Sequence, residues 1–106
     1  MTNNKLCGLL GLSTRAGKTV FGTESCQSAI EKRRVKLILV GVDASERMKL
    51  NFRKSCEKYK IPICEALTVE EISTAIGKNN KAVVGITDIN FSKEILKIIN
   101  GGEVIG

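Results

Sequence analysis

Leu37 to Val42, LILVGV, constrains the fold of this chain more than any other stretch. A strand with one wet face alternates apolar and polar residues, whereas this run is apolar throughout. It therefore predicts a strand covered on both faces, and only helices packed above and below a sheet supply such cover. The rest of the sequence provides them. Leu6, Leu9 and Leu10 predict a first helix over roughly 3–13, ending near Ser13 and Thr14. Thr19 to Phe21 is a short apolar strand, and Cys26, Ala29 and Ile30 line one face of a second helix. Met48, Phe52, Cys56 and Tyr59 recur at helical spacing behind Ser45, a suitable cap. Pro62 opens a strand over 62–67, where its missing N–H is tolerated. Thr68 caps a short helix with Val69, Ile72, Ala75 and Ile76 inward, ending at Gly77. Ala82 to Thr87 makes the last strand. A final helix follows, with Ser92 near its start, Phe91, Ile95, Ile98 and Ile99 inward, and Gly101 and Gly102 as its stop. The expected fold is a three-layer α/β/α sandwich, with about five helices around about four strands in a mixed sheet. Strand order stays open.

At 106 residues the chain fits one domain, residues 1–106, with 101–106 as a tail. Seventeen Lys and Arg against eleven Asp and Glu leave a net charge of +6. A small basic domain suits nucleic acid first, and an acidic protein or an anionic membrane second. Only 4% of residues are aromatic, which argues against a base-stacking platform. The four cysteines, at 7, 26, 56 and 64, show no CxxC spacing, and there is no histidine, so no metal site is expected. Each cysteine falls in an apolar pattern, as buried free thiols do, and this usage favours a reducing cytoplasm. The apolar run Leu6 to Leu12 is too short to span a membrane.

GLSTRAGKT, Gly11 to Thr19, resembles a nucleotide-binding phosphate loop, but that loop needs four residues between its glycines. Here five, Leu12 to Ala16, separate Gly11 from Gly17, and the context runs from helix to strand rather than the reverse. Without histidine no His-based triad exists. Glu70 and Glu71 sit at a helix start, where acids suit the dipole, and Asp43 and Asp88 follow strands, where a carboxylate commonly caps the next turn. No catalytic residues and no cofactor are expected.

The basic residues are better organised. Arg15 and Lys18 precede the first strand, Gly22 follows it, and Thr23, Glu24 and Ser25 begin the second helix. Lys32, Arg33, Arg34 and Lys36 come after that helix. Its start offers unpaired N–H groups and a positive dipole end, which with the flanking cations suit a polyanion. An ordinary β-to-α turn with solvated charges would use the same residue types. Arg47, Lys54 and Lys58 share one outward helix face, which reads as a solvated exterior.

The order Gly17-Lys18, apolar triplet, Gly22, polar helix start and Ala29-Ile30, continued by VDASE (42–46), CEKYKIPI (56–63) and AIGK (75–78), resembles the kink-turn RNA-binding ribosomal proteins, the L-seven-Ae and L-thirty-e superfamily. LLGLSTRAGK, VDAS and VGITD are most similar to its short bacterial YlxQ-type branch. The resemblance implies the same sandwich. It also implies RNA contacts at Lys18, Gly22, Thr23, Glu24, Ser25, Ser28 and Lys32, with Ala66, Leu67 and Thr68 as a second wall. Kink-turn binders carry Asn-Glu where Glu24 and Ser25 stand here, and Lys at Ser28; the resemblance then implies an altered or weaker target. The expectation is a non-enzymatic cytoplasmic RNA-binding protein whose partner is ribosomal or other structured RNA, with the ribosome as a further partner. A module docking an acidic protein is the alternative, and a nucleotide-binding protein using GLSTRAGKT a remote one.

Overall fold

The computed structural model describes residues 2–100. Nine elements follow in chain order: α1 (Thr2–Arg15), β1 (Thr19–Phe21), α2 (Thr23–Glu31), β2 (Leu37–Val40), α3 (Glu46–Tyr59), β3 (Ile63–Cys64), α4 (Val69–Ile76), β4 (Val83–Ile86) and α5 (Ile89–Ile99). The stop at Gly101–Gly102 and the tail lie outside the described residues.

The strands form one mixed sheet in the order β1-β4-β2-β3. β4 runs antiparallel to both neighbours, pairing Thr19 with Ile86 on one side and Leu37 with Ile86 on the other. β2 and β3 are parallel. β1, β2 and β3 consequently all point the same way, and the sheet has two distinct ends. At one, β1 to β3 finish and β4 begins; at the other the reverse holds.

Successive strand residues point to opposite faces, and β2 shows why the sheet needs covering twice. Leu37 and Leu39 pack with Leu6, Leu10, Ile72, Ile76 and Ile95, beneath α1, α4 and α5. Ile38 and Val40 pack with Cys26, Ile30, Phe52 and Cys56, beneath α2 and α3. Each such side chain, fully buried, contributes roughly 1.5–3 kcal/mol. The three-layer sandwich expected from LILVGV is the fold observed.

Boundaries differ where side chains intervene. α1 continues through Arg15, and the Ser13 and Thr14 hydroxyls do not end it but donate back to the Leu9 and Leu10 carbonyls at 2.8 and 3.0 Å inside the helix. β2 stops at Val40: the Gly41 N–H still meets the Ala82 carbonyl in register with β4, and the Val42 N–H then turns to the Leu67 carbonyl. β3 is only two residues of the expected 62–67: Glu65 is drawn to Arg53 at 2.7 Å, and the chain then leaves the sheet to begin α4. α5 begins at Ile89 because Asp88 caps it, accepting from the Phe91 N–H at 2.9 Å, which leaves Ser92 one turn inside. Cys26 and Cys56 are buried, whereas Cys7 and Cys64 are half-buried, at the margin of the layer beneath α1, α4 and α5.

Candidate nucleic-acid interface

The second helix starts without a side-chain cap. Its N-cap is Gly22, at φ 91° and ψ 157°, a conformation essentially restricted to glycine. The Gly22 N–H donates to the Val83 carbonyl at 3.1 Å, so the turn is fixed to the sheet. Cys26 is the first residue whose N–H reaches back into the helix, to the Gly22 carbonyl at 3.0 Å. The amides of Thr23, Glu24 and Ser25 thus face outward on exposed residues, at the positive end of a nine-residue helix. This place is also where β1, β2 and β3 finish, the side on which open α/β sheets bind ligands.

Two lysines that sequence reasoning missed stand beside it. Lys78 Nζ lies 5.2 Å and Lys81 Nζ 5.8 Å from the centre of the Phe21 ring, and a Cβ placed on Gly22 would be 4.0 Å from Lys81 Nζ. The loop that carries them is pinned to α4. The Lys81 N–H donates to Ser73 Oγ at 2.8 Å, and the Ser73 hydroxyl donates back to the Lys81 carbonyl at 3.3 Å. Arg47, at the start of α3, shares a small cleft with Thr23 and Gln27. KNNK between α4 and β4 was visible in the sequence, but only the strand order puts β4 next to β1 and so Lys81 next to Gly22.

The expected site residues divide between two places. Glu24, Ser25 and Ser28 line one shallow groove of about 360 Å³, which runs along α2 past Val20 to Arg34. Ala66, Leu67 and Thr68 lie at the same end of the sheet as Gly22, beyond β2. There the Leu67 carbonyl accepts from the Val42 N–H at 2.7 Å, and Asp43 accepts from the Val69 N–H at 2.8 Å. Leu67 itself is buried, and Thr68 is engaged in a capping box with Glu71, which leaves Ala66 and the backbone to offer outward. Gly41 makes this approach possible, since a Cβ there would stand 2.8 Å from Val69 Cγ2. Arg15, Lys18 and Lys32 are at the opposite end. The Lys18 carbonyl accepts from Thr87 after β4, and Lys32 is the C-cap of α2, about 13 Å from Thr23 by the helix rise. All three are exposed.

The acids and thiols are occupied otherwise. Glu71 and Asp88 accept backbone N–H groups at the starts of their own helices, the capping role expected of them, whereas Asp43 does not cap the turn after β2 but accepts from the Val69 N–H at the start of α4. Burial pushes the Cys26 thiol up to about 12 and the Cys56 thiol to about 11, and raises Cys7 and Cys64 as well. All four stay protonated and poorly nucleophilic at neutral pH. On α3, Arg53 is neutralised by Glu65 and Lys49 is buried, 3.5 Å from Glu46, so the basic face there is thinner than its sequence suggests. Among the described residues, no helix is long and apolar enough to cross a membrane.

Comparison with known proteins gives the family and the fold. The family model for the ribosomal protein L7Ae/L30e/S12e/Gadd45 family matches residues 4–96. The chain belongs to this family. Within it, the RNA-binding protein YlxQ of Enterococcus faecium is 36% identical over 97 residues, covering 92% of this chain and 93% of that one. YlxQ of Bacillus subtilis (strain 168) is 32% identical over 92 residues, covering 87% and 92%. Among solved structures, a Bacillus halodurans C protein of unknown function superposes with a TM-score of 0.87 at 30% identity, over 91% of this chain and 97% of the other. A Giardia lamblia 15.5kD RNA binding protein shares the fold, with a TM-score of 0.78 at 14% identity over 99% and 90%.

Proposed function

We propose that this chain is a non-enzymatic RNA-binding protein that holds a structured RNA at the start of α2. The observation that carries this is the uncapped helix start behind Gly22, with Lys78, Lys81 and Arg47 around it. Bare amides and mobile ammonium groups bind phosphate oxygens well, and neither reads sequence, so they fix the position of a backbone. Family membership and the names of the two YlxQ relatives support the same reading. Capped acids and protonated thiols leave little for catalysis.

In this proposal Gly22, Thr23, Ser25 and Ser28 contact the RNA, and the 66–68 loop borders it. A strand following the α2 groove reaches Arg34, and Lys32, Lys18 and Arg15 toward that end of the sheet are then secondary contacts. Glu24 lies in the same groove and can only accept hydrogen bonds when ionised, so it favours base-edge or hydroxyl donors over phosphate. The target we infer is a bent, kink-turn-like or related RNA of the translation machinery, ribosomal RNA included, in the cytoplasm.

Filter binding to a kink-turn RNA across a salt series tests this. About four phosphate contacts give a log–log slope near −3 to −4. A flat response would remove the phosphate contacts on which the proposal rests.

A further inference from the structure

The end of the sheet away from Gly22 holds a cavity that the proposed RNA surface leaves unused. It opens where β2 and β3 begin, between the end of α3 and the first turns of α5, with a volume of about 410 Å³. That is within the range of small-molecule sites. Arg33, Lys36, Lys60 and Lys93 line it, and no carboxylate does. None of these four belongs to an ion pair among the described residues.

The cavity is ordered, not a loose cluster of charge. Arg33 and Lys60 follow the ends of α2 and α3 in left-handed backbone, at φ 57° and 59°, which brings both helix ends to one opening. The Arg33 guanidinium carbon lies 5.2 Å from the centre of the Tyr59 ring. Val35, Pro62 and Leu96 give apolar walls, and Ile89, 48% exposed, stands at the margin. Ser92 lines the same cavity at 1% exposure, and its Oγ is the one buried side-chain polar atom among the described residues with no hydrogen-bond partner. A buried hydroxyl left unpaired is costly, and native proteins keep few of them.

We propose that this cavity binds a nucleoside phosphate, either a free nucleotide or one nucleotide of an RNA strand. Lys36, Lys60 and Lys93 would hold the phosphate, the Arg33–Tyr59 pair and the apolar walls would take the base, and Ser92 Oγ would gain a partner. Inorganic phosphate would use the cations and leave the apolar walls empty. The proposal does not rest on the RNA surface at α2, which shares none of these residues.

The test is titration of the ¹⁵N-labelled full chain with AMP, inorganic phosphate and a short oligoadenylate, following amide shifts. AMP is expected to move Tyr59, Ile61, Ser92 and Lys93 saturably, while Gly22 to Ser25 stay still. Lys36→Ala with Lys93→Ala, both exposed, should weaken AMP by about tenfold or more without changing the remaining spectrum. Ser92→Ala should weaken AMP and leave phosphate binding as it was. Oligoadenylate shifting the same amides identifies an RNA strand as the source; AMP acting alone identifies a free nucleotide. No saturable shift at the cavity from AMP or oligoadenylate, inorganic phosphate matching AMP in affinity, or undiminished binding by the double variant would each overturn the proposal.

Discussion

At the end of the sheet where β1, β2 and β3 finish, three cations surround a helix start whose amides are unpaired: Lys78, Lys81 and Arg47. At the other end, Lys18, Lys32, Arg33, Arg34, Lys36 and Lys60 gather where α1, α2 and α3 end and their carbonyls are negative, while Lys93 lies in the first turns of α5, whose start Asp88 caps. The second end carries more charge, yet the first is the better phosphate cradle, because there the backbone dipole and the side chains have the same sign. Where the dipole opposes the ligand, lysines must act alone or be assisted by a cavity. Counting cations along the sequence therefore ranks the two ends in the wrong order for a phosphate backbone.

The comparison breaks most visibly under charge reversal. Lys78→Glu with Lys81→Glu should weaken RNA about a hundredfold in filter binding, whereas Lys18→Glu with Lys32→Glu should cost about tenfold or less. Equal losses would show that both ends share the load. Gly22→Ala asks whether the turn or merely its charges matter. Its backbone conformation should cost about 1–3 kcal/mol in urea unfolding, with weaker RNA binding at unchanged charge. Full affinity in a destabilised variant would assign binding to the lysines alone.

Alkaline pH should loosen α2, the element joining both ends. The Cys26 thiol lies 3.6 Å from the Val20 carbonyl, and its ionisation is held up to about 12 in the folded chain against 9.0 ordinarily. Since the folded state binds that proton more tightly, its stabilising effect is complete below 9.0 and disappears as pH climbs toward 12. Urea midpoints should fall across that window, and Cys26→Ser should flatten the fall. Ser92→Ala gives the smallest change: removing an unpaired buried hydroxyl should raise the stability of the ligand-free chain by about 1 kcal/mol. A loss of stability would mean that Ser92 has a partner in solution.

Much of this molecule was legible in its residues, because periodicity and capping are local. LILVGV required two covered faces, and Ser45 and Thr68 cap α3 and α4 as their positions implied. The Gly22 turn was equally visible, since an uncapped polar helix start after a strand is written in five consecutive residues. What could not be read was which cations are neighbours. Lys18 is four residues before Gly22 in the chain and stands at the far end of β1, while Lys81, fifty-nine positions later, sits against it. Pairing β4 between β1 and β2 decides that, and strand order is set by loop lengths and packing spread over the whole domain. β3 was overread for a related reason: the apolar run 62–67 looks like a strand, but its second half is taken by Arg53 and the α4 cap.

The central position of β4 has a consequence for how the protein comes into being. Among the described residues β1 has no neighbour in the sheet except β4, and β4 is the last of their strands to be synthesised. Until residue 86 has left the ribosome, β1 and the helix behind it have nothing to zip onto, and the Gly22 amide has no Val83 carbonyl to meet. A nascent chain interrupted before β4 would carry both halves of the proposed anion cradle unassembled, so abortive products would lack the site proposed for RNA.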